Sequence, residues 1–415
     1  MRASSPWLAV LLAALASIGP FSIDTYLPAF GAMAIDLGAS QIEVQQTITV
    51  YMIPFAAMAL WHGALSDSLG RRWVIVVSTA LFAVASLICA LAPSIEWLWA
   101  GRALQGMSAG AGMVVGRAII RDLFDGAQAQ RLLSRVMMIF GVAPAVAPII
   151  GGALVLFAGW RSIFVFLALL GGVLAWLSAR HLPETLPATA RQSLRAGPLA
   201  RAYMRVLGNP RFMLLAGAIA LNFNGFFLYV LASPVFVVEH LGLGPGQFAW
   251  LFVPLVIGMM CGSWLSGRMA GRWSRRRTIA AGFVIMFGAV LAAVLHASFF
   301  APGVPASVVP VAVYALGMAV AMPSLTLLAL DVFPEQKGLA ASCQSFVQVG
   351  LNSLTAGVLA PLLWTSPLTL GAGAGLFVAL GLLCFCLWLL SGRPHSTASM
   401  PESENHTGPE GAAGK

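Results

Sequence analysis

The chain has 415 residues, 59% of them hydrophobic and 9% charged, with a mean hydropathy of +0.89. Soluble domains carry about 25% charged residues, so a soluble enzyme is excluded. Its 23 basic and 14 acidic residues give a net charge of +9, but the bases punctuate long apolar runs. That is the pattern of a polytopic membrane protein rather than of a nucleic-acid binder. Cys89, Cys261, Cys343, Cys384 and Cys386 all lie within apolar runs, in neither a zinc nor a disulfide spacing.

About 20 apolar residues span a bilayer as a helix. Twelve such runs are predicted, six at 7–29, 44–65, 73–92, 97–119, 133–157 and 162–179. Six more follow at 212–233, 247–267, 278–299, 308–330, 339–363 and 369–391. The first run resembles a signal peptide at its start, but it stays apolar to Ala29, too long for a cleaved leader. With the N-terminus inside, twenty of the 23 basic residues fall in or beside cytoplasmic segments. Only Arg161 falls outside, while Arg102 and Arg117 lie within a span. The positive-inside rule therefore places both termini in the cytoplasm.

The expected organisation is an N-terminal six-helix bundle (1–180), a linker (181–211), a C-terminal bundle (212–391) and a disordered cytoplasmic tail (392–415). In the linker Leu199, Tyr203 and Val206 share a helical face, which fits either a helix on the anionic inner leaflet or a flexible connection. Gly70-Arg71 after the second span matches Gly271-Arg272 after the eighth, 201 residues on. An all-α fold of two six-helix pseudo-repeats follows, the build of a transporter that rocks around a central cavity.

Ionisable groups inside spans are functional candidates, because inserting one costs at least about 2.5–3.5 kcal/mol. Asp24 lies near the outer end of the first span and Arg102 near that of the fourth. At about 1.5 Å per residue their depths match. Two roles fit the pair: a neutralising ion pair, or a proton carrier whose protonation responds to a wet or occupied cavity. Between spans two and three, Gly63, Asp67, Gly70, Arg71 and Arg72 form a candidate switch loop. There Gly70 permits a tight turn, Asp67 caps a helix and Arg71 pairs with Asp122. In span five, Gly141, Pro144, Pro148, Gly151 and Gly152 form a kinked face with little bulk, suited to close packing. Candidate cavity walls are Tyr26 and Tyr51, then Asn222, Phe226 and Tyr229 on one face of span seven, and Gln344, Gln348 and Asn352 on one face of span eleven. His62 and His296 stand alone and read as structural.

These residues resemble a known family. FSIDTYLPAF (21–30), GALSDSLGRR (63–72), RALQGMSAG (102–110), GRAIIRDLF (116–124), APAVAPIIGG (143–152), GWRSIF (159–164) and LPETL (182–186) are similar to major facilitator transporters. Within that group they resemble the drug:proton antiporters of the Bcr/CflA type. Ser68 stands where the loop signature usually has arginine, Pro54 and Ala59 where the subgroup has Gly and Gln, and Arg268 where the first half has Asp67. The resemblance implies a monomeric exporter of small amphiphilic compounds such as antibiotics in a bacterial inner membrane. It needs no cofactor and is driven by protons, with Asp24 and Arg102 in coupling and the span-five helix sealing the cavity.

Uptake of a small metabolite, proton-coupled or facilitated, would use the same charges. A receptor or scaffold would need an extramembrane module, and no loop is long enough for one. No nucleophile–base constellation or metal cluster suggests catalysis. The expected partners are substrate, protons and lipid, with no nucleic acid.

Overall fold

A computed structural model describes residues 6–391 apart from 125, 188, 190 and 192–195. The predicted tail, 392–415, lies outside the described residues. Twelve helices long and apolar enough to cross a membrane run Trp7–Leu37, Gln41–Leu69, Arg71–Ala90, Ile95–Leu123, Arg131–Ala158 and Arg161–His181, then Pro210–Leu231, Pro245–Met269, Arg275–Phe299, Val309–Asp331, Pro334–Leu363 and Pro367–Ser391. They are called spans one to twelve below, and "outer" and "inner" follow the charge assignment above.

Local chemistry explains several ends. Ser40 caps span two: its Oγ accepts from Glu43 N (3.2 Å) and Glu43 Oε2 accepts from Ser40 N (2.7 Å). Glu43 is thus a helix residue, not part of an outer loop. Asn209 Oδ1 accepts from Phe212 N at the start of span seven, with Pro210 at its first position. Span one departs most from its predicted length. Its helix stops at Asp24, turns through Leu27–Ala29, and resumes as Phe30–Leu37. Pro28 has no N–H for the helix ladder, so the backbone breaks there. Asp36, expected in a loop, lies on the resumed helix and pairs with Arg161, with Trp160 Nε1 donating to it at 3.1 Å. Span four is also divided, into Ile95–Ala109 and Ala111–Leu123 around Gly110.

In the first half, spans three and six pack on each other, spans one and five on each other, and span four against spans one, two and three. Span two meets span eleven, and span five meets span eight, across the boundary between the halves. Hydrogen bonds join the halves at the outer end. Gln41 Nε2 donates to Glu239 Oε1 (2.8 Å), and Gln46 Nε2 to Gly357 O (2.9 Å). Gly357 belongs to a π-helical turn, Thr355–Leu359, a wider turn of the kind found at functional sites in helices.

The linker contains a helix, Ala196–Leu207. Val206 is fully buried, and Tyr203 Oη donates to Leu60 O of span two at 2.7 Å. The apolar face therefore docks on the bundle, against spans two and eleven.

Candidate functional site

Arg102 sits in the outer segment of span four and is completely buried. Its Nη1 is shared among three acceptors: Ser22 O (2.9 Å), Ser22 Oγ (2.9 Å) and Gln105 Oε1 (2.7 Å). Gln105 Nε2 in turn donates to Ser86 Oγ at 2.7 Å. The rings of Tyr26 and Tyr51 lie on the guanidinium, their centroids 4.5 and 4.4 Å from Cζ. Gly106 has no side chain to keep the Tyr51 backbone away, which permits this approach. Hydrogen bonds to a charged group contribute about 1.5–3 kcal/mol each, and a desolvated cation–π contact about 2 kcal/mol. All three hydrogen bonds use Nη1, while Nε and Nη2 are buried with no hydrogen-bond partner among the described residues, so these contacts offset only part of the cost of burying the cation.

Asp24 is not in that cage. It is 5% exposed and makes no hydrogen bond or ion pair among the described residues. Arg102 nonetheless contacts Ser22 and Tyr26, two residues before and after Asp24, so the two charges lie at similar levels. The acid is the last residue before the break in span one.

Tyr26 and Tyr51, expected on a cavity wall, are buried against Arg102, and Tyr26 Oη meets Thr47 Oγ1 at 2.9 Å. Asn222 is fully buried, with its side-chain amide against Gly381 of span twelve and no hydrogen-bond partner among the described residues. Phe226 and Tyr229 are buried as well. Gln344 donates to Thr326 Oγ1 at 3.5 Å, and Gln348 is half-buried. Sequence reasoning missed Asn224, whose Nδ2 donates to Asn352 Oδ1 at 2.9 Å, and Tyr314, whose Oη donates to Asn222 O at 3.0 Å. It also passed over Ser22 and Gln105, although Gln105 stands one turn from Arg102 in the quoted motif.

At the inner end Arg71 Nη1 meets Asp67 Oδ1 at 2.5 Å and Ser66 Oγ at 2.6 Å, while its Nε meets Asp122 Oδ2 at 3.2 Å. The expected pairing with Asp122 is present, but among the described residues Asp67 caps no helix and pairs with Arg71 instead. Glu184, from the LPETL segment, takes the capping role, accepting from Arg71 N at 2.9 Å. Thr185 Oγ1 donates to Asp122 Oδ2 at 2.7 Å, and Arg72 donates to Ala179 O. Gly70 has φ +104°, and a side chain there would strike Glu184. Gly63 faces Val114 of span four.

The predicted span-five seam divides between two partners. Pro144 and Pro148 lie within one continuous helix. Gly151 packs on the Thr25 carbonyl at the span-one break, and Gly152 on the Pro245 carbonyl of the second half. Gly141 touches nothing within 4 Å of where a side chain would begin.

The family model described as "Major Facilitator Superfamily" matches residues 9–351. The chain belongs to the Major Facilitator Superfamily. Multidrug resistance protein D of Escherichia coli is 30% identical over 92% of this chain and 95% of its own length. The MFS-type transporter YdgK of Bacillus subtilis is 40% identical over 64% of this chain and 66% of its own length. A Bicyclomycin resistance protein homolog of Haemophilus influenzae is 30% identical over 66% and 69%. Among solved structures, an inward-facing, unoccupied bacterial homolog of the human lysosomal transporter Spinster overlays with a TM-score of 0.69, covering 94% of this chain and 97% of that one at 17% identity. That likeness shows the fold. The facilitator described here is thus a multi-pass transporter of the multidrug-resistance type, in a family of transporters and not of enzymes.

Proposed function

We propose that this facilitator is a proton-driven exporter of small amphiphilic compounds, antibiotics among them, working by alternating access as a monomer in a bacterial inner membrane with both termini inside. The observation that carries the reading is Asp24. It is a buried carboxyl group without a hydrogen-bond or ion-pair partner among the described residues, placed where span one breaks and beside the Gly151 contact of span five. Outside, the cavity delivers a proton to Asp24 and releases drug; inside, drug displaces the proton. Arg102 keeps a fixed positive charge at the level of the acid throughout. Each proton moving inward carries about 2.3 kcal/mol per 100 mV. The resistance names of the relatives support export over uptake of a metabolite.

The test is purified protein in liposomes with an imposed proton gradient. Asp24→Asn should reach the membrane and bind drug, yet lose uphill transport and the pH dependence of substrate affinity. Full, pH-dependent uphill transport by the mutant would remove Asp24 from the coupling role. In whole cells an uncoupler should raise drug accumulation, and a fall instead would favour uptake.

A further inference from the structure

Arg268, Arg272, Arg275, Arg276 and Arg277 crowd the inner turn between spans eight and nine, and all are exposed. No acidic residue occurs between Glu239 and Asp331. Asp331 meets Arg275 at 2.6 Å and Lys337 at 3.9 Å, and the exposed Glu335 pairs with none of the five. Among the described residues, the side chains of Arg268, Arg272, Arg276 and Arg277 therefore have no ion pair or hydrogen bond.

The first half shows what this turn lacks. Asp67 and Arg71 form an ion pair there, and the positions 201 residues on are Arg268 and Arg272. Two like charges, which repel, stand where an opposite pair would. Arg275, Arg276 and Arg277 then open the helix Arg275–Phe299, whose first turn holds no acid. A helix start favours anions and disfavours cations. Ser274 Oγ accepts from Arg277 N at 3.3 Å, which leaves the amides of Arg275 and Arg276 among the orphan donors of the helix. Side chains and backbone both call for an anion from outside the chain.

The surroundings name that anion. Ile257, Met260, Trp264 and Arg268 follow at helical spacing along one exposed stripe of span eight. The Arg268 guanidinium lies over the Trp264 ring, 4.2 Å from its centroid, and Trp273 is exposed in the same turn. An apolar stripe that ends in tryptophan and then arginine matches the acyl chain, interface and headgroup of a phospholipid.

We infer that the turn between spans eight and nine binds an anionic phospholipid of the inner leaflet. Its phosphate sits on Arg268, Arg272 and the start of span nine, and its acyl chain runs along Ile257, Met260 and Trp264 on the bilayer face. The inference does not depend on proton coupling, and its test uses no gradient.

Full-length protein in neutral detergent is titrated with phosphatidylglycerol or with phosphatidylcholine of the same chains, and bound lipid is counted by native mass spectrometry. Wild type should hold phosphatidylglycerol at least about 25-fold more tightly, from about fivefold for each of two arginines near an anionic headgroup. Arg268→Gln combined with Arg272→Gln should abolish that preference. Arg201→Gln combined with Arg205→Gln removes the same charge from exposed sites on the linker helix and should leave the preference in place. Arg268→Asp gives the second half the ion pair of the first, and should abolish the preference while the thermal unfolding midpoint is kept. Excess inorganic phosphate should not displace the lipid. Equal affinity for the two lipids in wild type, equal losses in the turn and linker variants, or displacement by inorganic phosphate would each overturn the proposal.

Discussion

The two halves tie the same pair of helices in the same place with different chemistry. In the first, span four reaches span one through Arg102, which donates to the carbonyl of Ser22. In the second, span ten reaches span seven through Tyr314, which donates to the carbonyl of Asn222. Ser22 and Asn222 are 200 residues apart, close to the repeat offset seen between Gly70 and Gly271. One half buries a cation beneath two aromatic rings to reach a carbonyl in the last turn before a helix break, while the other reaches a mid-helix carbonyl with a neutral hydroxyl. The inner loops repeat the contrast. Arg71 is held between Asp67 and Asp122 with its side chain 10% exposed, whereas Arg275 meets Asp331 at 2.6 Å with both side chains nearly half exposed. Fold symmetry preserves the ties, and the charged chemistry collects in the first half. The physical lesson is that packing between helices needs only a donor at that position; a charge there implies a further task.

The sharpest way to break this comparison is at Arg102. Arg102→Ala removes the charge and empties the space between Tyr26 and Tyr51, and transport in liposomes should fall by about 100-fold or more, given the cost of losing a buried, bonded charge. Arg102→Lys keeps the charge without the planar group and should retain partial activity. Near-normal transport by both variants would make Arg102 the mere counterpart of Tyr314.

The next effect is smaller and compares the loops. Arg71→Ala removes a largely buried hub and should slow turnover about tenfold, equivalent to about 1.4 kcal/mol, with drug affinity within a few-fold. Arg275→Ala breaks an exposed pair of the kind that contributes about 0.2–1 kcal/mol, and should change turnover less than twofold. Stopped-flow transport assays of the two variants side by side decide the matter, and equal losses would show that the loops do equivalent work.

The smallest effect on transport belongs to Tyr314→Phe. It deletes one hydrogen bond to a carbonyl that lies mid-helix in span seven, which should lower stability by about 0.5–1.5 kcal/mol. Thermal unfolding in detergent should register that loss while transport stays within about threefold, the effect expected of a structural tie. A collapse of transport with unchanged stability would give the second half a functional site matching the first.

Asp67 shows where reading the chain stopped short. Its position just before a glycine suggested a helix cap, but Asp67 is still inside span two and turns back to Arg71 four residues on. The cap arrives from Glu184, 113 residues away along the chain, and no local pattern links the two. Tyr26 and Tyr51 show the same limit. Aromatic residues near a charge were visible, but whether they line a cavity or cover a cation depends on how spans one, two and four rotate against one another.

By itself the sequence determined that the chain is a membrane protein, how many times it crosses, that its halves repeat, and which charges stand inside the bilayer. Those facts follow from hydropathy over about 20 residues and from the cost of each buried charge, both of which are local. Only the tertiary structure decided what each charge touches. It placed Arg102 in a cage of Ser22, Gln105 and two tyrosines and left Asp24, at the break in span one, without a hydrogen-bond or ion-pair partner among the described residues. Hydrogen bonds and ring contacts act over a few ångströms, and side chains far apart in sequence come that close only when the helices pack.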